Sequence, residues 1–197
     1  MKIYYLDSNL LSEEQLKKIY SNAENYRKIK YDRISDTVSK KECIASDALI
    51  KFGVRDYLND KSQNPITDYL ESGKLILKNI RLHLCISHTC GHVFLVLHNS
   101  NVGIDAEYIR EIDYQKLFNR YFKGIKKQPK SNIDFFKEWT ALEARFKCEN
   151  RKALSFDNSF ATPVSSFTYK NFVLSIACEN LNNDSEINIY EINTEDL

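Results

Sequence analysis

The sequence contains little glycine and proline, with 5 Gly and 3 Pro in 197 residues. This scarcity argues against long linkers, and the length suits one domain or two small halves. No stretch approaches the roughly 18 apolar residues of a membrane span, and residues 1–7 lack the apolar run of a signal peptide. We therefore expect a cytoplasmic protein without a membrane partner.

Cysteine is also sparse, and the net charge is small. The 5 cysteines are odd in number and form no Cys-x-x-Cys pair, which is typical of reduced thiols rather than of a disulfide framework or a zinc site. A net charge of +1 provides no general attraction to nucleic acid, so we expect no nucleic-acid partner. A hydrophobic fraction of 43% with 12 Tyr and 11 Phe indicates a folded core.

Local patterns predict an α+β chain with two similar halves. Ser12 and Gln15 match a capping box at the start of a helix. Further predicted elements are strands at 2–6, 82–88, 93–98, 102–107, 167–169, 172–178 and 187–192, and helices at 41–57, 114–122 and 135–147. Residues 59–68 are polar and contain Pro65, which predicts a loop. The turn at 99–101 is the best boundary, so we divide the chain into halves 1–98 and 99–197.

The helix predicted at 135–147 carries the first candidate site residues. Its apolar side chains recur at helical spacing: Phe135, Trp139, Leu142 and Phe146. Glu143 and Lys147 lie one turn apart at the edge of this face, so a carboxylate and an ammonium project together. The alternative is a surface ion pair, worth only about a few tenths of a kcal/mol.

A second acidic pair lies on the strand predicted at 102–107. Because side chains alternate along a strand, Asp105 and Glu107 share one face while Ile104 and Ala106 face the core. Two adjacent carboxylates repel each other unless a cation lies between them, and oxygen-only ligands suit Mg²⁺ or Mn²⁺. Gly103 permits a close backbone approach. The alternative is a strand end that dips into solvent.

Basic residues recur in the first half. The basic segment Arg27–Arg33, which includes Lys28, is followed by Lys40 and Lys41 and forms a candidate anchor for a phosphate ligand, with a solvated helix end as the alternative. Ser87 and His88 are neighbours on a strand and face opposite ways, so they cannot form a nucleophile–base pair. At the strand end, however, their side chains and the backbone N–H groups of the turn can converge on a phosphate.

The helix predicted at 114–122 is rich in aromatic residues and precedes a loop of four lysines at 123–130. One interpretation is that this region binds an acidic partner. The other, which is at least as good, is that the loop is simply solvated. The apolar side chains that would face such a partner are Leu117, Phe118, Tyr121 and Phe122.

Two motifs together carry a resemblance to a known family. Gly103-Ile104-Asp105-x-Glu107, followed from residue 135 by Phe-Phe-x-x-Trp-x-x-x-Glu-Ala-x-x-Lys, resembles the 4′-phosphopantetheinyl transferase superfamily in its pseudo-dimeric, surfactin-synthetase-activating type. The resemblance covers most of the chain, including the opening Met-Lys-Ile-Tyr strand, the Gly73–Lys74 turn and Ile86-Ser87-His88.

The resemblance implies a fold, a reaction and a partner. Two similar halves would be related by a pseudo-twofold axis, with the active site in the cleft between them. Coenzyme A would donate 4′-phosphopantetheine to a serine of an acyl or peptidyl carrier protein, with release of 3′,5′-ADP. Because one chain holds both halves, we expect a monomer.

The resemblance also assigns roles to residues. Asp105, Glu107 and Glu143 would hold Mg²⁺, with Mn²⁺ as an alternative, while Glu143 would act as general base and Lys147 would offset phosphoryl charge. The residues that would contact coenzyme A are Lys28, Arg33, Lys40, Lys41, Lys74, Ser87 and His88. The carrier protein would meet Leu117, Phe118, Tyr121 and Phe122.

Three departures from the family pattern leave other hypotheses open. Leu142 stands where the family usually has Lys, Glu42 stands where it usually has Arg, and the acidic residue that often follows the segment 120–122 is missing. Each lost charge-assisted phosphate contact costs roughly 1.5–3 kcal/mol. The alternatives are a weakened or inactive relative that binds a carrier protein or nucleotide, a different metal-dependent phosphoester enzyme, and a structural domain.

Overall fold

The computed structural model of the chain describes residues 1–122, 128–151, 160–181 and 186–197. The helices are α1 Glu13–Asn22, α2 Asn25–Arg33, α3 Thr37–Leu58, α4 Tyr114–Tyr121 and α5 Asn132–Glu149. The strands are β1 Lys2–Asp7, β2 Thr67–Tyr69, β3 Leu75–Leu77, β4 His83–Thr89, β5 His92–His98, β6 Val102–Tyr108, β7 Val164–Tyr169, β8 Phe172–Cys178 and β9 Asn188–Glu191. The chain is therefore α+β, as its patterns predicted.

The first sheet has the strand order β4-β5-β1-β9 and packs against α3. Its neighbours run antiparallel except for β1 and β9, which are parallel. The inward side chains of the sheet and of α3 are almost fully buried, among them Tyr4, Ile44, Leu49 and Leu95. Burial of this apolar surface holds the helix on the sheet.

The second sheet has the order β6-β8-β7, is antiparallel throughout, and packs against α5. Listed from its other edge, this order is β7-β8-β6, and it matches the order β4-β5-β1 in the first sheet. In each case a first strand pairs with the second strand of a hairpin, and a long helix precedes that hairpin in the chain. Both helices, α3 and α5, end at an Asn with left-handed backbone, Asn59 and Asn150.

A shared apolar cluster joins the two sheets. Ile3, Phe94, Ile104 and Leu174 are completely buried in it. Strand β4 packs beside β6, so residues of the two halves come into direct contact there. Ile104 and Ala106 face this core, as the strand alternation predicted.

Several local predictions are confirmed. Ser12 and Gln15 form the complete capping box of α1, and the predicted hairpin is present as β4 and β5. The predicted loop at 59–68 ends two residues too late, because Thr67 and Asp68 already belong to β2 and Thr67 pairs with Leu77 of β3. Within the described residues, the helices are too short or too polar to cross a membrane.

Candidate active site

The site begins with an unusually close contact between β6 and α5. A Cβ atom at Gly103 would lie 2.0 Å from the carbonyl oxygen of Ala144 and 2.6 Å from the backbone nitrogen of Cys148. Only glycine therefore allows the helix to approach the strand this closely. This contact brings Glu143 and Lys147 of α5 up to the carboxylates of β6.

Lys147 is bound by three acceptors on strands β4 and β6. Its Nζ lies 2.7 Å from Oδ1 of Asp105, 3.2 Å from the carbonyl oxygen of Ile104 and 3.4 Å from Oγ of Ser87. Ser87 in turn donates to Oδ1 of Asp105 at 2.9 Å. Burial alone would lower the pKa of Lys147, but the carboxylate of Asp105 outweighs burial and the pKa is raised. Lys147 therefore pairs with Asp105 across the two elements rather than with Glu143 as a surface ion pair.

Asp105, Glu107 and Glu143, which we call the carboxylate set, repel one another. Burial first, and then the charge of Asp105, raise the pKa of Glu143 above its ordinary value. The same two causes raise the pKa of Glu107, against the opposing pull of Arg110, whose Nη1 lies 3.2 Å away. Both shifts are the signature of carboxylates that lack sufficient positive charge nearby.

The donor chemistry of the carboxylate set suits Mg²⁺, since all of its ligands would be oxygen atoms. Its geometry in the described part of the chain is more open: no group of three or more His, Cys, Asp or Glu side chains there is close enough to enclose a metal ion. Ligand oxygens would have to complete any coordination shell. The residues therefore fit the ion in donor type only, and one of them, Asp105, is paired with Lys147.

A cavity of about 380 Å³ lies on the other side of Lys147. Residues from α2, α3, β3, β4 and α5 line it, so both halves contribute. The Arg, Lys and His residues of its lining are Arg27, Lys30, Lys74, His88, Lys147 and Arg151. Asp and Glu are missing from its described lining. We call this space the basic cavity, and its charge suits an anionic ligand.

Arg27 belongs to the basic segment predicted as an anchor, and it lines the cavity although it was not among the predicted coenzyme A contacts. It is 3% exposed, and its Nε is buried without a hydrogen-bond partner, 3.8 Å from Oδ1 of Asp47. Burial would lower its pKa, but neighbouring tyrosines and Asp47 outweigh burial and the pKa is raised. The run of basic residues at 27–33 was the available signal, but it did not show which face of α2 points inward.

The predicted coenzyme A contacts divide into two groups. Lys74 and His88 line the basic cavity, whereas Lys28, Arg33, Lys40, Lys41 and Ser87 do not. Lys28 donates instead to the carbonyl oxygen of Ser21, and Lys41 donates to that of Leu11. Lys40 lies over the ring of Tyr31. These side chains therefore do not share one anchor in the described structure, and their contact with coenzyme A stays a prediction.

Ser87 and His88 also do not converge on one ligand, which corrects the expectation for this strand end. Ser87 is 5% exposed and turned toward Asp105. His88 faces the other way, with its Nδ1 2.9 Å from Oε2 of Glu42. The backbone N–H of Gly91 in the turn donates to the other oxygen of Glu42 at 2.7 Å. Strand alternation, which excluded a nucleophile–base pair, excludes a shared phosphate contact as well.

Two of the three departures from the family pattern, Leu142 and Glu42, have a structural role here. Leu142 is 8% exposed and belongs to the apolar cluster of α4, α5 and β8, so this position supplies no charge. Glu42 is 5% exposed and joins α3 to the β4–β5 turn through Gly91 and His88.

The predicted carrier-protein contacts need a correction too. Phe118 and Phe122 are 2% and 4% exposed, because they pack against Phe135 and Phe136 of α5 in the apolar cluster. They cannot offer a surface to a partner. Leu117 and Tyr121 keep partial exposure. Residues 123–127 of the lysine loop lie outside the described residues.

No family model matches the sequence, and no curated protein matches it significantly.

Proposed function

We propose that this protein is a Mg²⁺-dependent 4′-phosphopantetheinyl transferase that moves the phosphopantetheine group of coenzyme A to a serine of an acyl or peptidyl carrier protein. One observation carries the proposal. A basic cavity large enough for part of a nucleotide adjoins a set of three carboxylates, and Lys147 borders both. Transfer of a pyrophosphate-linked group needs both features side by side.

The chain topology supports the fold that this function implies. The matching strand orders β4-β5-β1 and β7-β8-β6, each with a long helix before its hairpin, fit two halves related by a pseudo-twofold axis. We place the halves at 1–98 and 99–197, with the site in the cleft between α2, α3 and β4 on one side and α5 on the other.

Within this proposal the basic cavity holds the anionic part of coenzyme A. Arg27, Lys30 and Lys74 supply positive charge to the lining of the cavity. The ammonium group of Lys147 already donates to Asp105, Ile104 and Ser87. It therefore contributes positive charge at the cavity wall and has no free N–H group for the ligand.

The carboxylate set performs the second task. Glu107 and Glu143, together with Asp105, would hold Mg²⁺, which supplies charge neutralisation at the pyrophosphate when it is bound. Glu143 would take the proton of the carrier serine, directly or through a water, as that hydroxyl attacks the phosphorus on the pantetheine side of the pyrophosphate. The bond between that phosphorus and the bridging oxygen then breaks, and 3′,5′-ADP leaves.

A second candidate function is binding without transfer. Leu142 places an apolar side chain where a cation would assist the pyrophosphate, and Lys147 is already engaged by Asp105. Such a relative would bind coenzyme A or a carrier protein and release no 3′,5′-ADP.

Intact-mass spectrometry distinguishes the two. An apo acyl carrier protein is incubated with this protein, coenzyme A and Mg²⁺, with EDTA and Glu143→Gln as controls. A gain of one phosphopantetheine that both controls abolish supports transfer. No gain with several carrier proteins, while calorimetry shows that coenzyme A binds, would favour the second candidate.

A further inference from the structure

We propose that the basic cavity is a modification site, in which the thiols of Cys43 and Cys85 react with a small anionic disulfide and form a mixed disulfide. The two cysteines belong to different elements, α3 and β4, and both line the cavity. The proposal depends on the cavity and its cations, and it holds whether or not the proposed transfer reaction takes place. An adduct would close the cavity to other ligands until a reducing thiol removes it.

The five cysteines of the chain, all of them free thiols, lie in three environments. Cys43 and Cys85 are 5% and 8% exposed and line the cavity, which is therefore the route by which a reagent reaches them. Cys90 is exposed in the turn between β4 and β5, outside the cavity lining. Cys148 and Cys178 are 2% and 0% exposed and do not belong to that lining. Each environment therefore serves as a control for the others.

Cys85 lies beside the cation at the cavity wall. Its Sγ is 3.8 Å from the carbonyl oxygen of Ile104, and Nζ of Lys147 donates to the same oxygen at 3.2 Å. The thiol and the ammonium group are therefore neighbours at one edge of the cavity. An anionic reagent that is attracted to the ammonium group arrives next to the thiol.

Cys43 also has a cation close to it. It shares one face of α3 with Ser39 and Ser46, at helical spacing, and all three residues line the cavity. Arg27 of α2 lies in the same lining and is buried. Burial lowers the pKa of Arg27, and Cys43 is among the neighbours that raise it. Each cavity thiol thus has a cationic side chain nearby, which is the setting in which protein thiols react.

The reaction is thiol–disulfide exchange, and the disulfide is its oxidant. The thiolate of Cys43 or Cys85 attacks one sulfur atom of the reagent and forms a new S–S bond. The S–S bond of the reagent breaks, its other half leaves as a thiolate, and the cysteine proton goes to solvent. The cations of the lining favour a reagent with carboxylate or phosphate groups, and the described lining contains no Asp or Glu to repel it.

The first experiment compares two aromatic disulfides on the folded protein at neutral pH. Dithiobis(nitrobenzoate) carries a carboxylate on each half, whereas dithiodipyridine is neutral. Adducts are located by peptide mass spectrometry after a short exposure and an acid quench. With rates expressed relative to Cys90, we expect the anionic reagent to modify Cys43 and Cys85 at least about tenfold faster than the neutral one, as for electrostatic attraction into a charged cleft. Cys148 and Cys178 should stay unmodified.

Three results would overturn the proposal. Modification of Cys90 alone would show that the cavity thiols are sealed from solvent. Equal relative rates with the two reagents would show that the cations play no part. Modification of Cys148 and Cys178 at the rate of the cavity thiols would show that unfolding, rather than the cavity, exposes them.

Lys30→Met tests the cations with a matched control. Lys30 lines the cavity, whereas Lys28, on the same helix, donates to the carbonyl oxygen of Ser21 outside it. Lys30→Met should reduce the preference for the anionic reagent severalfold, and Lys28→Met should leave it unchanged. Equal effects of the two substitutions would contradict the role of the cavity charge.

A final comparison identifies the natural reagent. The disulfide of coenzyme A carries phosphates and that of glutathione carries carboxylates. Inorganic pyrophosphate should slow both reagents at the cavity thiols but not at Cys90, and the absence of this protection would exclude the cavity as the route. Faster reaction with the coenzyme A disulfide would also support the proposed function. Faster reaction with the glutathione disulfide would count against that function and would still establish the modification site.

Discussion

The basic cavity and the carboxylate set are adjacent regions with opposite charge. The cavity collects Arg and Lys side chains, and its described lining lacks Asp and Glu. In the carboxylate set, burial and the charge of Asp105 raise the pKa of Glu107 and of Glu143. The two regions are separated by one side chain, Lys147, which is bound to Asp105. The net charge of the chain is only +1, so its overall composition does not predict either region. The two regions arise from where the individual charged side chains lie in the fold.

The largest effect is expected where the two regions are brought together. Gly103→Val would force α5 away from β6, because even a Cβ atom would lie 2.0 Å from the carbonyl oxygen of Ala144. We expect a loss of at least about 3 kcal/mol in the free energy of unfolding, measured by urea denaturation. Gly73→Asn is the control, since Gly73 has φ +87 with nothing within 4 Å of a Cβ and Asn tolerates that backbone. Equal stability of Gly103→Val and wild type would disprove the close approach.

Removal of charge from the acidic region tests its chemistry. Glu143→Gln should reduce transfer to a carrier protein by about 10³-fold, as expected for loss of a general base, when followed by intact-mass spectrometry. A variant with full activity would exclude the role assigned to Glu143.

The same variant should be at least as stable as the wild type at neutral pH. The folded-state pKa of Glu143 is raised, so its contribution to stability is present below the ordinary carboxyl value of 4.5 and is lost as the pH rises through the folded value. Gln carries no such penalty. The difference in unfolding free energy between the two proteins should therefore grow above pH 4.5 in favour of the variant. Greater stability of the wild type at pH 7 would contradict the sign of the shift.

Lys147 tests the boundary between the regions. Lys147→Met leaves Asp105 buried without its cation and should cost about 3 kcal/mol in the free energy of unfolding. The double variant Asp105→Asn with Lys147→Met should recover most of this loss, because neither charge is then left unpaired. Additive losses in this double-mutant cycle, measured in urea, would show that the two side chains do not stabilise each other.

The smallest effect concerns the basic region. Lys74→Met should raise the KM for coenzyme A about tenfold, since one cation of the cavity is lost. Lys28→Met is the matched control, because its Nζ donates to the carbonyl oxygen of Ser21 outside the cavity. Similar effects of the two substitutions would remove the distinction between cavity and surface lysines. A thermal unfolding measurement should accompany Lys74→Met, which also removes a hydrogen bond to the end of α5.

Elements that depend on local pattern were predictable from the sequence. The capping box of α1 and the β4–β5 hairpin follow from residues that are close in the chain. The common face of Asp105 and Glu107 follows from strand alternation in the same way. The sequence could therefore identify Asp105 and Glu107 as carboxylates on one face, and it predicted a divalent metal ion beside them.

Helix faces were harder to predict. Lys28 and Arg27 are neighbours, yet Arg27 is buried in the cavity wall and Lys28 is directed elsewhere. Adjacent residues on a helix differ by about 100° in direction, so a basic run does not show which cation faces a ligand. The same limit explains why Phe118 and Phe122 were expected at the surface and are buried against α5.

The sequence by itself predicted the start of α1, the helices α3, α4 and α5, the β4–β5 hairpin and the residue types of the carboxylate set, because these depend on neighbours within a few positions. Only the tertiary structure decided which charges meet. Lys147 reaches Asp105 because Gly103 lets α5 approach β6, and Glu42 reaches His88 because α3 packs beside the β4–β5 turn. These partners are 42 and 46 positions apart. Contacts between residues so distant in the chain depend on the packing of whole elements, and a local pattern contains no information about that packing.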